Sequence, residues 1–171
     1  MIYSLPLREK IEENIQNSRK DILPYFIDYA CGSGHFLISY MHKLQEEIDV
    51  LKQDTSNSNY PKELKEKLVS LKNLEWAEKY VYGIEKDYRL AKTAKTSLFL
   101  HGDGEAKILH TDALNKFSCK DYEKNILYSS ENKNEVFDFV VSNPPFSVEG
   151  YMQNLKKNDK IKVGDGTFEL Y

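Results

Sequence analysis

Familiar metal, redox and membrane signatures are missing from this 171-residue chain. Its two cysteines, Cys31 and Cys119, stand far apart and make no C-x-x-C pair. That argues against a thiolate metal centre or a disulfide framework and leads us to expect a reducing, cytoplasmic setting. The four histidines, His35, His42, His101 and His110, match no H-E-x-x-H pattern, so no metal site is expected. No apolar run approaches the about 20 residues of a bilayer-spanning helix, and the N-terminus carries no secretory pattern. An excess of basic charge is also missing: Lys plus Arg is 24, Asp plus Glu is 27, and the net charge is −3. Tight duplex binding draws heavily on lysine and arginine. Clusters such as Lys156-Lys157 and Lys160-Ile161-Lys162 supply only local patches. The common nucleotide and nucleophile loops fail too. There is no G-x-x-x-x-G-K-[ST], G-x-G-x-x-G breaks at Leu37, and G-x-S-x-G does not fit Cys31-Gly32-Ser33-Gly34.

What is present begins with Asn143-Pro144-Pro145-Phe146, which follows the apolar run Phe137-Asp138-Phe139-Val140-Val141-Ser142. Two prolines fix the backbone and remove two N–H donors, leaving carbonyl oxygens free to accept. The Asn143 amide adds a further acceptor and Phe146 a flat apolar face. The set suits a planar substrate bearing an amino group. Upstream, Tyr25-Phe26-Ile27-Asp28-Tyr29-Ala30 reads as a buried strand running into Cys31-Gly32-Ser33-Gly34, and Phe36-Leu37-Ile38 opens a helical pattern. A glycine turn between strand and helix lets backbone approach a ligand beside helix N–H groups. Tyr80-Val81-Tyr82-Gly83-Ile84 is a second strand, ending in Glu85. An acidic group at that tip can accept hydrogen bonds from ribose hydroxyls, or it can be a solvated charge. Leu90, Ala91, Ala94 and Leu98 then follow helical spacing. A third strand, Ala106-Lys107-Ile108-Leu109-His110, leads to Thr111-Asp112-Ala113-Leu114, where Asp112 is either a ligand or a helix cap.

The stretch Asp28-Tyr29-Ala30-Cys31-Gly32-Ser33-Gly34-His35-Phe36-Leu37 resembles the S-adenosylmethionine loop D-P-A-C-G-S-G-x-F-L of amino-group DNA methyltransferases. Asn143 to Phe146 resembles their catalytic N-P-P-F. The pattern is most similar to the modification subunit of type I restriction–modification systems and related adenine-N6 methylases, and it covers roughly Ile22 to Glu149.

The resemblance implies an α/β, Rossmann-like methyltransferase sheet with flanking helices and S-adenosyl-L-methionine as methyl donor. Its catalytic set would be Asn143, Pro144, Pro145 and Phe146. Cofactor contacts would come from Asp28, Ala30, Cys31, Gly32, Ser33, Gly34, Phe36, Glu85, Lys86, Asp112, Ala113 and Asn143. Asp28 could equally cap the glycine turn, Phe36 could be plain core, and Cys31 reads as a packing residue rather than a nucleophile. The implied partners are double-stranded DNA with a flipped adenine, a specificity subunit or fused target-recognition domain, and a restriction subunit. Two other readings remain in view: an N-methyltransferase acting on RNA or protein glutamine, and a noncatalytic methyltransferase-like binding module. Phe at 146 and the Ala-Cys-Gly-Ser-Gly loop tilt toward DNA.

Two departures from the pattern set further expectations. The gap from Gly34 to Glu85 far exceeds the roughly 20 residues usual in dinucleotide folds. Asp54 to Asn59 reads as a polar turn, and Pro61 to Glu78 as one amphipathic helix with Leu64, Leu68, Leu71 and Leu74 inward. We therefore expect a single methyltransferase domain over 1–171 with a helical insertion at 51–77. The family's N-terminal aromatic-x-T-P motif and its strands beyond N-P-P-F have no counterpart here, so the sheet is expected to be incomplete at both ends. The opening helix should end near Ser18. Lys116 to Glu135 is polar and irregular, with no expected task beyond connecting strands.

Overall fold

The computed structural model describes residues 2–57, 62–102, 107–131, 136–144, 161–163 and 166–168. Four short strands build its central sheet: β1 (Phe26–Asp28), β2 (Val81–Glu85), β3 (Lys107–His110) and β4 (Phe139–Val140). They lie in the order β3-β2-β1-β4, and every pairing is parallel. This is a Rossmann-like α/β sheet. The chain steps from β1 outward to β3, then crosses back to place β4 on the other side of β1. The reversal of direction falls between β1 and β4, and ligands of such sheets bind outside the strand carboxyl ends there. Ile161–Val163 (β5) and Gly166–Phe168 (β6) pair antiparallel in a separate two-stranded sheet.

Strand alternation divides the core into two. Phe26, Val81 and Ile108 face helices α1 (Leu7–Gln16), α2 (His35–Asn57) and α5 (Tyr88–Leu100). Ile27, Tyr82 and Ile84 face the other way, toward Tyr122 and Leu127. Helix α2 presents Leu37, Tyr40, Met41, Leu44, Ile48 and Leu51 along one stripe, all essentially buried. Its 23 residues span roughly 34 Å at 1.5 Å per residue, far longer than any strand of the sheet. The overhanging half carries α3 (Lys62–Ser70).

Several expectations are corrected. Residues 54–57 continue α2 rather than turning, because Leu51 extends the buried stripe and Asp54 accepts Arg8 Nη2 from α1 at 2.6 Å. The next helix stops at Ser70 and does not reach Glu78. Leu74 adopts φ 59°, and Gln45 of α2 accepts both the Leu74 amide (3.1 Å) and Trp76 Nε1 (2.8 Å). This capture breaks the helix before the short α4 (Ala77–Tyr80). The opening helix does stop near Ser18, as expected: α1 ends at Gln16 and Ser18 adopts φ 52°. Leu90 is 43% exposed, whereas Ala91, Ala94 and Leu98 are buried. The Asp87 cap accepts Arg89 and Leu90 amides and phases α5 so that Leu90 points outward. No helix among the described residues is long and apolar enough to cross a membrane.

Candidate active site at the strand carboxyl ends

The turn after β1 is held from three sides. Asp28 Oδ1 accepts the Ala30 amide at 3.0 Å, Cys31 N donates to Ile84 O of β2 at 3.0 Å, and Gly34 N closes on Cys31 O at 2.8 Å. Gly32 and Gly34 adopt φ 54° and 88°, a region that strains other side chains. They serve different ends. A methyl group on Gly34 would touch Ala94 of α5 at 3.4 Å, so its small size seats the start of α2 against that helix. A methyl on Gly32 would meet nothing within 4 Å, so this backbone faces open space. Ser33 beside it is half-buried.

Glu85, at the tip of β2, uses both oxygens on backbone. Its Oε2 accepts the Gly32 amide at 2.9 Å and its Oε1 the Asp87 amide at 2.8 Å. Asp112 follows β3 and is tied back to the same edge, since Thr111 N donates to Glu85 O at 3.2 Å. The Asp112 Oδ1 accepts the Leu114 amide at 3.0 Å, and Lys86 Nζ reaches its Oδ2 at 2.7 Å. Burial alone would raise the Asp112 pKa, but these two donors outweigh it and hold the carboxyl below its ordinary value. Ala113 is half-buried against the second core, and Phe36 half-buried against the first.

Asp28 is the deepest of the acids, at 2% exposure. Burial pushes its pKa up to about 6, with the nearby Glu85 charge adding to the rise and the Ala30 amide opposing it. Ser142 lies beside this carboxyl and tempers the shift, although among the described residues its buried Oγ finds no well-aligned hydrogen-bond partner. Burial and the Asp28 and Glu85 charges push the Cys31 thiol up to about 12, which suppresses thiolate chemistry. The Cys31 sulfur packs against Gly83 instead.

The two sequence motifs meet across β1 and β4. Pairing of Ile27 with Val140, and of Val141 N with Ile27 O at 3.0 Å, brings Ser142, Asn143 and Pro144 level with the glycine turn. Asn143 is exposed and Pro144 buried. Pro145 and Phe146 lie outside the described residues. Among the described residues, no group of His, Cys, Asp and Glu could hold a metal ion.

Sequence reasoning missed the groups that hold these residues in place. Asp138, in the apolar run, accepts the Tyr25 amide at 2.9 Å and pairs with Lys10 and Arg19. Tyr122 and Asp121, in a stretch with no assigned task, bond to the Asp112 turn. The only signal in that stretch was the recurrence of Phe117, Tyr122, Ile126 and Leu127 in otherwise polar sequence.

The donor set of S-adenosyl-L-methionine is matched by this edge. Its sulfonium and ammonium charges, ribose hydroxyls and adenine amino group all favour acidic acceptors. Asp28, Glu85 and Asp112 stand at three successive strand ends around an open glycine turn. The model of the N-6 DNA Methylase family matches residues 11–169. No curated protein matches the chain. Among solved structures, the chain is similar to a modification subunit of a candidate type I restriction enzyme from Vibrio vulnificus YJ016, at 16% identity and a TM-score of 0.44. The match covers 93% of this chain and 31% of that one, so the chain spans under a third of the subunit's length.

Proposed function

The chain belongs to the N-6 DNA methylase family, and from that premise we propose that it forms the cofactor half and acceptor motif of an adenine-N6 DNA methyltransferase of a restriction–modification system. One observation carries the reading: the glycine turn after β1 and Asn143-Pro144 after β4 lie side by side where the chain reverses direction in the sheet. S-adenosyl-L-methionine, when bound, supplies an electrophilic methyl group on a sulfonium centre. The Ala30–Gly34 backbone, including Cys31 and Ser33, forms the floor of the site, with Asp28 and Phe36 at the methionine side. Glu85 accepts the ribose hydroxyls in place of its present Gly32 and Asp87 amides. Asp112, steadied by Lys86 and followed by Ala113, accepts the adenine amino group of the cofactor.

On the substrate side, the Asn143 amide oxygen and the Pro144 carbonyl accept the two hydrogens of the target amino group. An exocyclic amine is a poor nucleophile while its lone pair feeds the ring. Two acceptors draw the N–H bonds aside and favour electron density on nitrogen, so catalysis here is positioning and electrostatics. Pro145 stiffens the turn, and Phe146 stacks on a base that has left the duplex. With a net charge of −3, the chain relies on a specificity subunit or fused recognition domain for most phosphate and base contacts, and a restriction subunit completes the cytoplasmic system. Residues 51–77 act as an accessory helical insertion outside the cofactor site.

The test is methyl transfer itself. The chain, assembled with a specificity subunit, is incubated with tritiated S-adenosyl-L-methionine and unmodified duplex DNA, which is then digested to nucleosides. Label in N6-methyladenine with the native chain, and none with Asn143→Ala, is the expected result. Label appearing only in RNA or in protein glutamine, or in DNA equally with Asn143→Ala, would contradict the proposal.

A further inference from the structure

The stretch after Asp112 is more than a connector. Its Tyr122 is wholly buried against Ile27, Tyr82 and Ile84, closing the sheet face opposite α2 and α5. From that fixed seat the Tyr122 hydroxyl donates to the Asp112 carbonyl at 3.2 Å. The neighbouring Asp121 Oδ2 accepts Thr111 Oγ1 at 2.6 Å and Asn115 Nδ2 at 3.3 Å. Asn115 Nδ2 also donates to Thr111 Oγ1 at 3.3 Å. The residue before Asp112 and the carbonyl of Asp112 itself are therefore bonded to one dipeptide.

Among the described residues the carboxylate itself has two partners, and neither is a firm anchor to the core. Its ion pair is to Lys86, whose side chain is 69% exposed, and such pairs restrain little. Its second bond, from the Leu114 amide, lies within the same turn and holds only if the turn keeps its shape. A tyrosine whose ring is fixed in the core transmits that rigidity to the turn it bonds. We propose that Asp121 and Tyr122 are positioning residues that set the direction of the Asp112 carboxylate at the cofactor site. The ligand part of this inference rests on the function proposed above. The geometric part does not.

The test pairs binding with amide exchange. Tyr122→Phe keeps the ring in the core and removes only the hydroxyl, and Asp121→Ala releases Thr111. Calorimetric titration with S-adenosylhomocysteine should show about three- to tenfold weaker binding for Tyr122→Phe, the scale of one hydrogen bond. In an Asp112→Ala background the same change should cost nothing further, since its effect runs through that carboxylate. Equal losses in both backgrounds, or no loss in the native one, overturn the inference. Hydrogen exchange is read on the same unliganded proteins. The Leu114 amide should exchange faster in Tyr122→Phe and in Asp121→Ala, with the strand amides of β1 and β2 unchanged. An unchanged Leu114 rate overturns the inference even if the native chain binds no cofactor, a result that by itself would count only against the proposed function.

Discussion

Asp28 combines nearly complete burial with a carboxyl pKa raised from 3.8 to about 6, and the sign of that shift has a consequence. The folded chain holds the proton more tightly than the unfolded chain does. The stability contributed by this group is therefore fully present below about pH 4 and is lost as the pH rises through about 6. Replacing it by Asn, which can still accept the Ala30 amide, should stabilise the unliganded chain at pH 7.5 by roughly 1–3 kcal/mol and leave it close to native at pH 4. Urea titrations at the two pH values check this. The account further predicts that affinity for the cationic S-adenosyl-L-methionine falls below about pH 6 in the native chain and is flat in Asp28→Asn. Gly83 gives a second residue-scale outcome. A methyl there would lie 2.7 Å from Ile108 Cδ1 and 2.8 Å from Leu37 Cδ1. Gly83→Ala should thus lose about 1–3 kcal/mol of stability by overpacking, measured by thermal or urea unfolding. The acidic residues of the edge were legible because each ends a strand whose apolar run marks it. Asp121, Tyr122 and Asp138 were not, because their partners are set by tertiary contact; Asp138 and the Tyr25 amide it binds stand 113 residues apart.

Among the elements, β4 depends most on side chains. Of the apolar run 137–142, only Phe139 and Val140 form its ladder. The Asp138 and Phe139 amides both donate to Tyr25 O, at 2.9 and 3.0 Å, which distorts the start of the strand. Pro144 then removes a donor at its end. Register is fixed instead by the Asp138 carboxylate, which joins Tyr25 N, Lys10 and Arg19, while Arg19 also donates to the buried Asn14. Asp138→Ala should destabilise the chain by about 1–3 kcal/mol, because it leaves the Tyr25 amide without its acceptor and takes one partner each from Lys10 and Arg19. Amide exchange at Val141, close in sequence to the site's Pro144 carbonyl, should rise with it, whereas β2–β3 exchange should not. Unchanged Val141 exchange would show that the sheet alone holds the strand. The long α2 was half legible. Its buried stripe could be read to Leu51, but the polar residues beyond looked like a turn until Arg8 of α1 supplied Asp54 with a partner.

For the molecule as a whole, the α/β class and the positions of the four strands were legible in the sequence, while the strand order β3-β2-β1-β4 and the two-sided core were not. One face is closed by helices whose periodicity is plain in the sequence; the other is closed by an irregular segment with a few well-placed aromatics. That asymmetry leaves the strand carboxyl ends as the place where three acids, an open glycine turn and an acceptor motif converge. The central claim is that they form one cofactor site. Calorimetric titration of the chain with S-adenosyl-L-methionine, alongside Glu85→Ala and Asn143→Ala, addresses it most directly. The account predicts saturable binding, weakened about tenfold or more by Glu85→Ala and nearly unchanged by Asn143→Ala. No binding by the folded native chain, or binding indifferent to Glu85→Ala, would contradict it.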